Sequence, residues 1–203
     1  RAKLLGDCAV TLPPAQDWAK AETGAARAAL GRPMAGRYGA AVDLGTTTVA
    51  ARVFDLRTGE ALGEHSLLNP QTAVAADVMG RLSAALAGGL DSLRRQAAEA
   101  VAAAVAGACA AAGVPKADAL TLAGNTTMLY LLTGQDPRSL ATAPFQADRL
   151  FGEEIALAGT TAYLPPCAGA FVGADITCAA LACRLLDDPD TALMMDIGTN
   201  GEL

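Results

Sequence analysis

An α/β fold that opens on three sequential antiparallel strands is what this sequence predicts, and three observations carry it. Residues 39–68 hold short apolar runs separated by glycine-containing turns. Alanine-rich stretches with helical periodicity follow. One pattern, an apolar run then Asp-x-Gly-Thr, occurs twice, as Ala41-Val-Asp43-Leu-Gly45-Thr46-Thr47 and as Met194-Met-Asp196-Ile-Gly198-Thr199-Asn200.

The elements follow in order. Gly39-Ala-Ala-Val-Asp43 suits a buried strand, and Leu44-Gly-Thr-Thr-Thr48 a turn. Residues 49–55 read as a second strand, Leu56-Arg-Thr-Gly59 as a turn and residues 60–68 as a third strand. Val74, Val78, Leu82 and Leu86 recur every fourth residue, which predicts a helix stopped by Gly88-Gly89. Asp91 or Ser92 is expected to cap the next helix. That helix carries Leu93, Ala97, Val101 and Val105 on one stripe and ends at Gly113. Residues 119–123 form a short buried strand, Gly124-Asn-Thr-Thr127 turns, and a short helix covers residues 128–133. Residues 134–159 are expected to be mostly connecting structure, 161–164 a strand, 173–186 a helix and 191–196 a strand. Residues 1–38, broken by Pro13-Pro14, Gly31, Pro33 and Gly36, hold at most one short helix (16–30) and read as a linker or the tail of a preceding domain. The recurrence of the Asp-x-Gly-Thr pattern suggests a duplicated domain: residues 39–190 form one copy and 191–203 begin a second, so the chain reads as part of a longer protein.

Composition narrows the function. The chain has 203 residues, 52% hydrophobic and 18% charged, enough to bury a core and far from a disordered composition. Mean hydropathy is +0.31, but much of it is alanine. The apolar run at residues 100–114 falls short of the roughly 18 to 20 residues that span a bilayer, so no membrane role is expected. A net charge of −6 argues against nucleic-acid binding. The five cysteines, Cys8, Cys109, Cys167, Cys178 and Cys183, form no CxxC pair and no zinc or iron–sulfur spacing. An odd number without a signal peptide suggests a reducing, cytoplasmic setting. Gly31-Arg-Pro-Met-Ala-Gly36 has P-loop glycine spacing but lacks the Lys and Ser/Thr. The only histidine, His65, falls in the third strand. Asn125-Thr-Thr127 matches a glycosylation sequon without any sign of secretion.

The repeated pattern carries the chemistry. Glycine lets backbone approach a phosphate, successive turn N–H groups form an anion-binding nest, and threonine hydroxyls add donors. The aspartate suits Mg²⁺ held through water. Asp43 and Asp196 are therefore the candidate catalytic and metal residues. Gly45, Thr46, Thr47 and Thr48, with Gly198, Thr199, Asn200 and Gly201, are the candidate phosphate binders. One aspartate could anchor the metal while the other orients a water; the sequence leaves open which does which.

These two loops resemble the phosphate loops of the actin/sugar-kinase/Hsp70 superfamily. A wider set is more specific: Asn69-Pro-Gln71, Ala76-Asp-Val78 with Arg81, Gly124-Asn-Thr-Thr-Met128, Leu164-Pro-Pro-Cys167, Phe171-Val-Gly-Ala-Asp175 and Asp196-Ile-Gly-Thr-Asn-Gly201. Together they resemble the reductive activators of corrinoid enzymes over about residues 39–203. The resemblance implies a ribonuclease H-like fold, its first half complete and its second truncated, with ATP and Mg²⁺ between the halves. It implies an ATPase driving Co(II) corrinoid protein to Co(I), often a homodimer, with a [2Fe–2S] cluster in an N-terminal domain outside this chain. It also implies that Gly124, Asn125 and Thr126 close the cleft with Asp175 nearby. Tyr130 stands where the family pattern has histidine, and Ala75-Ala76 where it has glycine. Three other readings share the features: an activator of 2-hydroxyacyl-CoA dehydratases, a small-molecule kinase, and a nucleotide-gated scaffold without turnover.

Overall fold

The computed structural model describes residues 36–183, 185, 193–197 and 201–202. The expected helix at 16–30 and Gly31 lie outside them, as do Gly198, Thr199 and Asn200.

Three strands, β1 (Tyr38–Leu44), β2 (Thr48–Asp55) and β3 (Ala61–Leu68), form the expected antiparallel meander. After two helices the chain returns as β4 (Ala119–Gly124), which pairs parallel to β1. Two further strands, β5 (Glu153–Leu157) and β6 (Thr160–Leu164), complete a six-stranded mixed sheet in the order β3-β2-β1-β4-β6-β5. A separate hairpin pairs β7 (Asp196–Ile197) with β8 (Gly201–Glu202).

Strand alternation decides the buried face. Ala40, Val42 and Leu44 of β1, Val49, Ala51 and Val53 of β2, and Leu120 and Leu122 of β4 all point to one side and are buried. The long helix α2 (Leu90–Ala112) covers them with Leu93, Ala97, Val101 and Val105, the predicted stripe, joined by Ala100, Ala104 and Ala108. Small residues let helix and sheet approach closely. A Cβ on Gly63 would lie 2.5 Å from the Ala112 amide nitrogen, and one on Gly107 would lie 2.4 Å from the His65 ring. The helix ends where expected, at Gly113, whose φ of 65° suits glycine.

Several expectations are corrected. Neither Asp91 nor Ser92 caps α2: the helix starts at Leu90 after Gly89, with no side-chain cap. The preceding helix α1 is short (Val78–Ala84) and capped by Asp77, whose Oδ1 accepts from the Gly80 amide at 2.8 Å. Residues 70–73 instead form a 3₁₀ turn with Pro70 in its first turn. Of the four periodic positions, Val74 and Leu86 are exposed, while Val78 and Leu82 are buried. Gly88 (φ 99°) kinks the chain between α1 and α2 through a wide turn, Ala85–Gly89. The helix α3 (Thr126–Thr133) begins two residues before the expected start and is buried along nearly its whole length. The stretch 134–159 contains a short helix α4 (Arg138–Ala141) and the strand β5. The last described helix, α5 (Ala174–Ala182), is shorter than the expected 173–186. Of the strand expected at 191–196, only Asp196 lies in regular structure among the described residues.

Candidate functional site

The parallel pairing of β1 with β4 sets Asp43 opposite Ala123 and Leu44 opposite Gly124. Two loops thus leave the sheet side by side at the carboxyl ends of neighbouring parallel strands, where α/β sheets bind ligands. Backbone contact is close throughout. A Cβ on Gly45 would meet the Thr48 carbonyl oxygen at 2.6 Å, one on Gly124 the Leu44 carbonyl oxygen at 2.8 Å, and one on Gly173 the Asn125 Cα at 2.5 Å. The amino end of α5 therefore rests on the second loop.

The first loop is tied down from behind. The Gly45 carbonyl accepts from Asn69 Nδ2 at 2.9 Å, the Thr46 carbonyl from Arg81 Nη2 at 2.5 Å, and the Thr47 carbonyl from the Asn69 amide at 2.8 Å. Asn69, Gln71 and Arg81 are fully buried. Arg81 also donates to the Ala75 carbonyl, to Gln71 Oε1 and to Met128 Sδ, and Gln71 Nε2 donates to the Leu93 carbonyl. Burial pulls the Arg81 guanidinium below its ordinary pKa, while the charge of Asp77 opposes that. The sequence marks these three residues only as parts of a resemblance; nothing in their spacing announces a buried polar network.

The second loop is held by its own side chains. Asn125 Oδ1 accepts from the Thr127 amide at 3.0 Å and caps α3. Thr126 Oγ1 donates to the Gly169 carbonyl at 2.7 Å, and Asn125 Nδ2 reaches the Phe171 carbonyl at 3.4 Å. The Thr127 hydroxyl is buried with no hydrogen-bond partner. Cys167 is buried behind this loop. Burial pushes its thiol pKa up, against the Thr126 hydroxyl and the Ala174 amide, which favour the thiolate. Cys109, Cys167, Cys178 and Cys183 form no disulfide.

Three acidic groups act on one another electrostatically. Asp43 points from the open sheet face and is solvent-exposed by area. Enough protein surrounds its carboxyl that burial, with the charges of Asp175 and Asp196, pushes its pKa to about 6. Burial also raises Asp175, and Asp196 adds to that rise. Its own backbone amide and that of Ile176, which donates to Oδ1 at 2.9 Å, work the other way. Among the described residues, no three His, Cys, Asp or Glu side chains lie close enough to ligate one metal ion directly. Asp43 sits on the wall of a cavity of about 960 Å³ on the open sheet face, with Ala41, Phe54, Ala123 and Leu181 along it. Thr46 is buried, Thr47 and Thr48 are exposed, and Gly201 pairs with Ile197 in the second hairpin. Asp43, Asp175 and Asp196, named from sequence, are thus within electrostatic reach of one another.

Residues 38–188 match the family described as the RACo middle region. The chain belongs to the RACo middle-region family. This RACo region is 35% identical over 179 residues to the corrinoid activation enzyme RamQ of Eubacterium limosum, covering 82% of this chain and 30% of that protein. Its fold is similar to a solved structure, the reductive activator for corrinoid, iron–sulfur protein, with a TM-score of 0.76 and 31% identity over 84% of this chain and 29% of that one. The chain therefore spans about 30% of the length of the curated relative. No helix among the described residues is long and apolar enough to cross a membrane.

Proposed function

We propose that this region is the nucleotide-binding part of a corrinoid reductive activator, taking ATP with Mg²⁺ and coupling its hydrolysis to one-electron reduction of a Co(II) corrinoid protein to Co(I). The observation that carries this reading is Asp43. It stands at the end of a central strand, beside a braced Gly-Thr-Thr turn, with its pKa pushed to about 6 by burial and by two other carboxylates. Such a group of like charges calls for a cation. Magnesium suits such carboxylates because it keeps much of its water and is held through it. When bound, Mg²⁺ would neutralise phosphate charge.

The protein's own groups do the rest. Gly45 admits the phosphate chain, and Thr46, Thr47 and Thr48 supply amides and hydroxyls. Gly198, Thr199, Asn200 and Gly201 are the matching group of the second copy. Gly124, Asn125 and Thr126 wall the cleft. Asp175, with its pKa raised, is suited to take a proton from an attacking water. The order β3-β2-β1-β4, a three-stranded meander joined to a parallel strand, supports a ribonuclease H-like half over residues 39–190, with 191–203 opening a second half. The reduction is uphill, so hydrolysis must bias the complex toward the reducible state. In this reading the corrinoid protein is the partner, a [2Fe–2S] cluster in a separate N-terminal domain supplies the electron, and the activator works as a cytoplasmic homodimer. Among the alternatives, a dehydratase activator would need a cluster cysteine at a dimer interface; Cys167, the residue the sequence offers for it, is buried, whereas Cys183 is exposed. A kinase would use Asp175 as base toward a substrate hydroxyl rather than water.

The test is ATP hydrolysis by the full-length protein, with and without a Co(II) corrinoid protein, for wild type, Asp43→Ala and Asp196→Ala. Turnover that rises with the corrinoid partner and is lost in both variants supports the reading. Turnover indifferent to the partner points to the dehydratase activator or kinase, and none at all to a binding scaffold.

A further inference from the structure

Building on the nucleotide reading above, we propose that Arg81, with Asn69 and Gln71, is the positioning device of the first phosphate loop. It makes the Gly45–Thr48 turn competent to bind phosphate by pinning the turn's carbonyls to the interior.

Three consecutive carbonyls, those of Gly45, Thr46 and Thr47, accept hydrogen bonds from behind the loop. A trans peptide holds its N–H opposite its C=O. Turning the Gly45 and Thr46 carbonyls inward therefore directs the next two amides, of Thr46 and Thr47, away from the interior, while the Thr47 carbonyl closes the ladder between β2 and β3. An unbraced Gly-Thr-Thr turn has many conformations, and only a few align successive amides. Bracing selects one before the ligand arrives, so less binding energy is lost to ordering.

Arg81 adds a second effect. Its charge-assisted bond to the Thr46 carbonyl polarises the peptide that carries the Thr47 amide, which strengthens that amide as a donor. The guanidinium is fully buried and makes no ion pair among the described residues. Keeping such a charge out of water is costly unless its donors are met. Four of its five N–H groups are met, by the Thr46 and Ala75 carbonyls, Gln71 Oε1 and Met128 Sδ. The same side chain thereby joins the first loop to α3, which follows the second loop, so both cleft walls share one anchor.

The network predicts a dependence on phosphate rather than on nucleoside. In the full-length protein with Mg²⁺, the affinity of a slowly hydrolysed ATP analogue and of adenosine would be measured by calorimetry for wild type, Arg81→Lys, Arg81→Met and Asn69→Ala. Lysine keeps the charge but cannot hold Thr46, Ala75 and Gln71 at once. We expect Arg81→Lys to weaken the ATP analogue by about tenfold, about the effect of one charge-assisted hydrogen bond, with adenosine unchanged. Arg81→Met should weaken the analogue further. If the Arg81 variants do not fold, Asn69→Ala, which removes the Gly45 tie without a change of charge, carries the same expectation. Equal losses for analogue and adenosine would reduce the network to general stability and overturn the proposal. So would a folded Arg81→Lys that binds the analogue like wild type, since charge alone would then suffice. A wild-type protein that binds no nucleotide would remove the nucleotide reading itself, and this inference with it.

Discussion

Gly173 meets Asn125 so closely that a Cβ at position 173 would lie 2.5 Å from the Asn125 Cα and 2.5 Å from the Gly124 carbonyl oxygen. The backbone angle at Gly173 (φ −88°) is open to any residue, so the constraint is space alone. Gly173→Ala must push the start of α5 off the second loop and carry Asp175 with it. We expect a loss of about 1–3 kcal/mol in urea unfolding, as for other overpacked sites, and, on the proposed reading, slower ATP hydrolysis by the full-length protein. An unchanged urea midpoint would mean that the loop yields freely.

Protonation of Asp43 should be visible in stability. Its pKa rises from 3.8 to about 6 on folding, so the folded state holds the proton more tightly. The contribution is fully present below about pH 4 and is lost as pH rises through about 6. Metal-free wild type should lose thermal stability relative to Asp43→Asn between these values, with the gap constant above pH 7. Parallel curves across the whole range would contradict the shift.

Tyr130 offers a clean deletion. Its hydroxyl donates to Asp148 Oδ1 at 2.5 Å and accepts from the Arg149 amide at 2.8 Å, and its ring meets Phe151 edge-on. Tyr130→Phe keeps the ring contact and removes both bonds; Asp148, exposed and still bonded to Ser139 Oγ, returns to water, so the cost should be about 1 kcal/mol. Denaturant unfolding measures it, and a cost near zero would mean that water replaces the hydroxyl.

Thr126→Val removes the bond to the Gly169 carbonyl and leaves the side-chain volume nearly intact. The segment over Cys167 should then open more often. A cost of about 1 kcal/mol corresponds to a roughly fivefold faster reaction of the Cys167 thiol with a small thiol reagent. Cys109, buried elsewhere in the core, provides the internal reference. Equal acceleration at both cysteines would indicate general loosening instead.

Much of this architecture was legible in the residues. The apolar runs ending at Asp43 and Ala123 predict buried strands, and the small residues of α2 recur at helical spacing. What escaped was structure whose cause is remote in sequence. Strand β5 reads Glu153-Glu-Ile-Ala-Leu157; its residues alternate between intermediate and exposed at the sheet edge, and its charges hide it among loop residues. Val74 and Leu86 fit the period of α1, but Asp77 starts the helix after the first and the Gly88 kink follows the second. Asp43 and Asp196 could be named because their chemistry is local to each turn, whereas Asp175 entered only through the family resemblance. Arg81 could not be given a role, because an arginine ordinarily signals surface and its acceptor on Thr46 is far back in the chain.

The alanine-rich seam between α2 and the sheet has a thermodynamic consequence. Ala97, Ala100, Ala104 and Ala108 bring little hydrocarbon to the interior, so cohesion there comes from proximity, through many short dispersion contacts. Heat-capacity increments on unfolding follow exposed apolar area. This region should therefore fall below the usual increment of about 12–15 cal/mol/K per residue. Its free energy of unfolding would then vary little over a broad span of temperature.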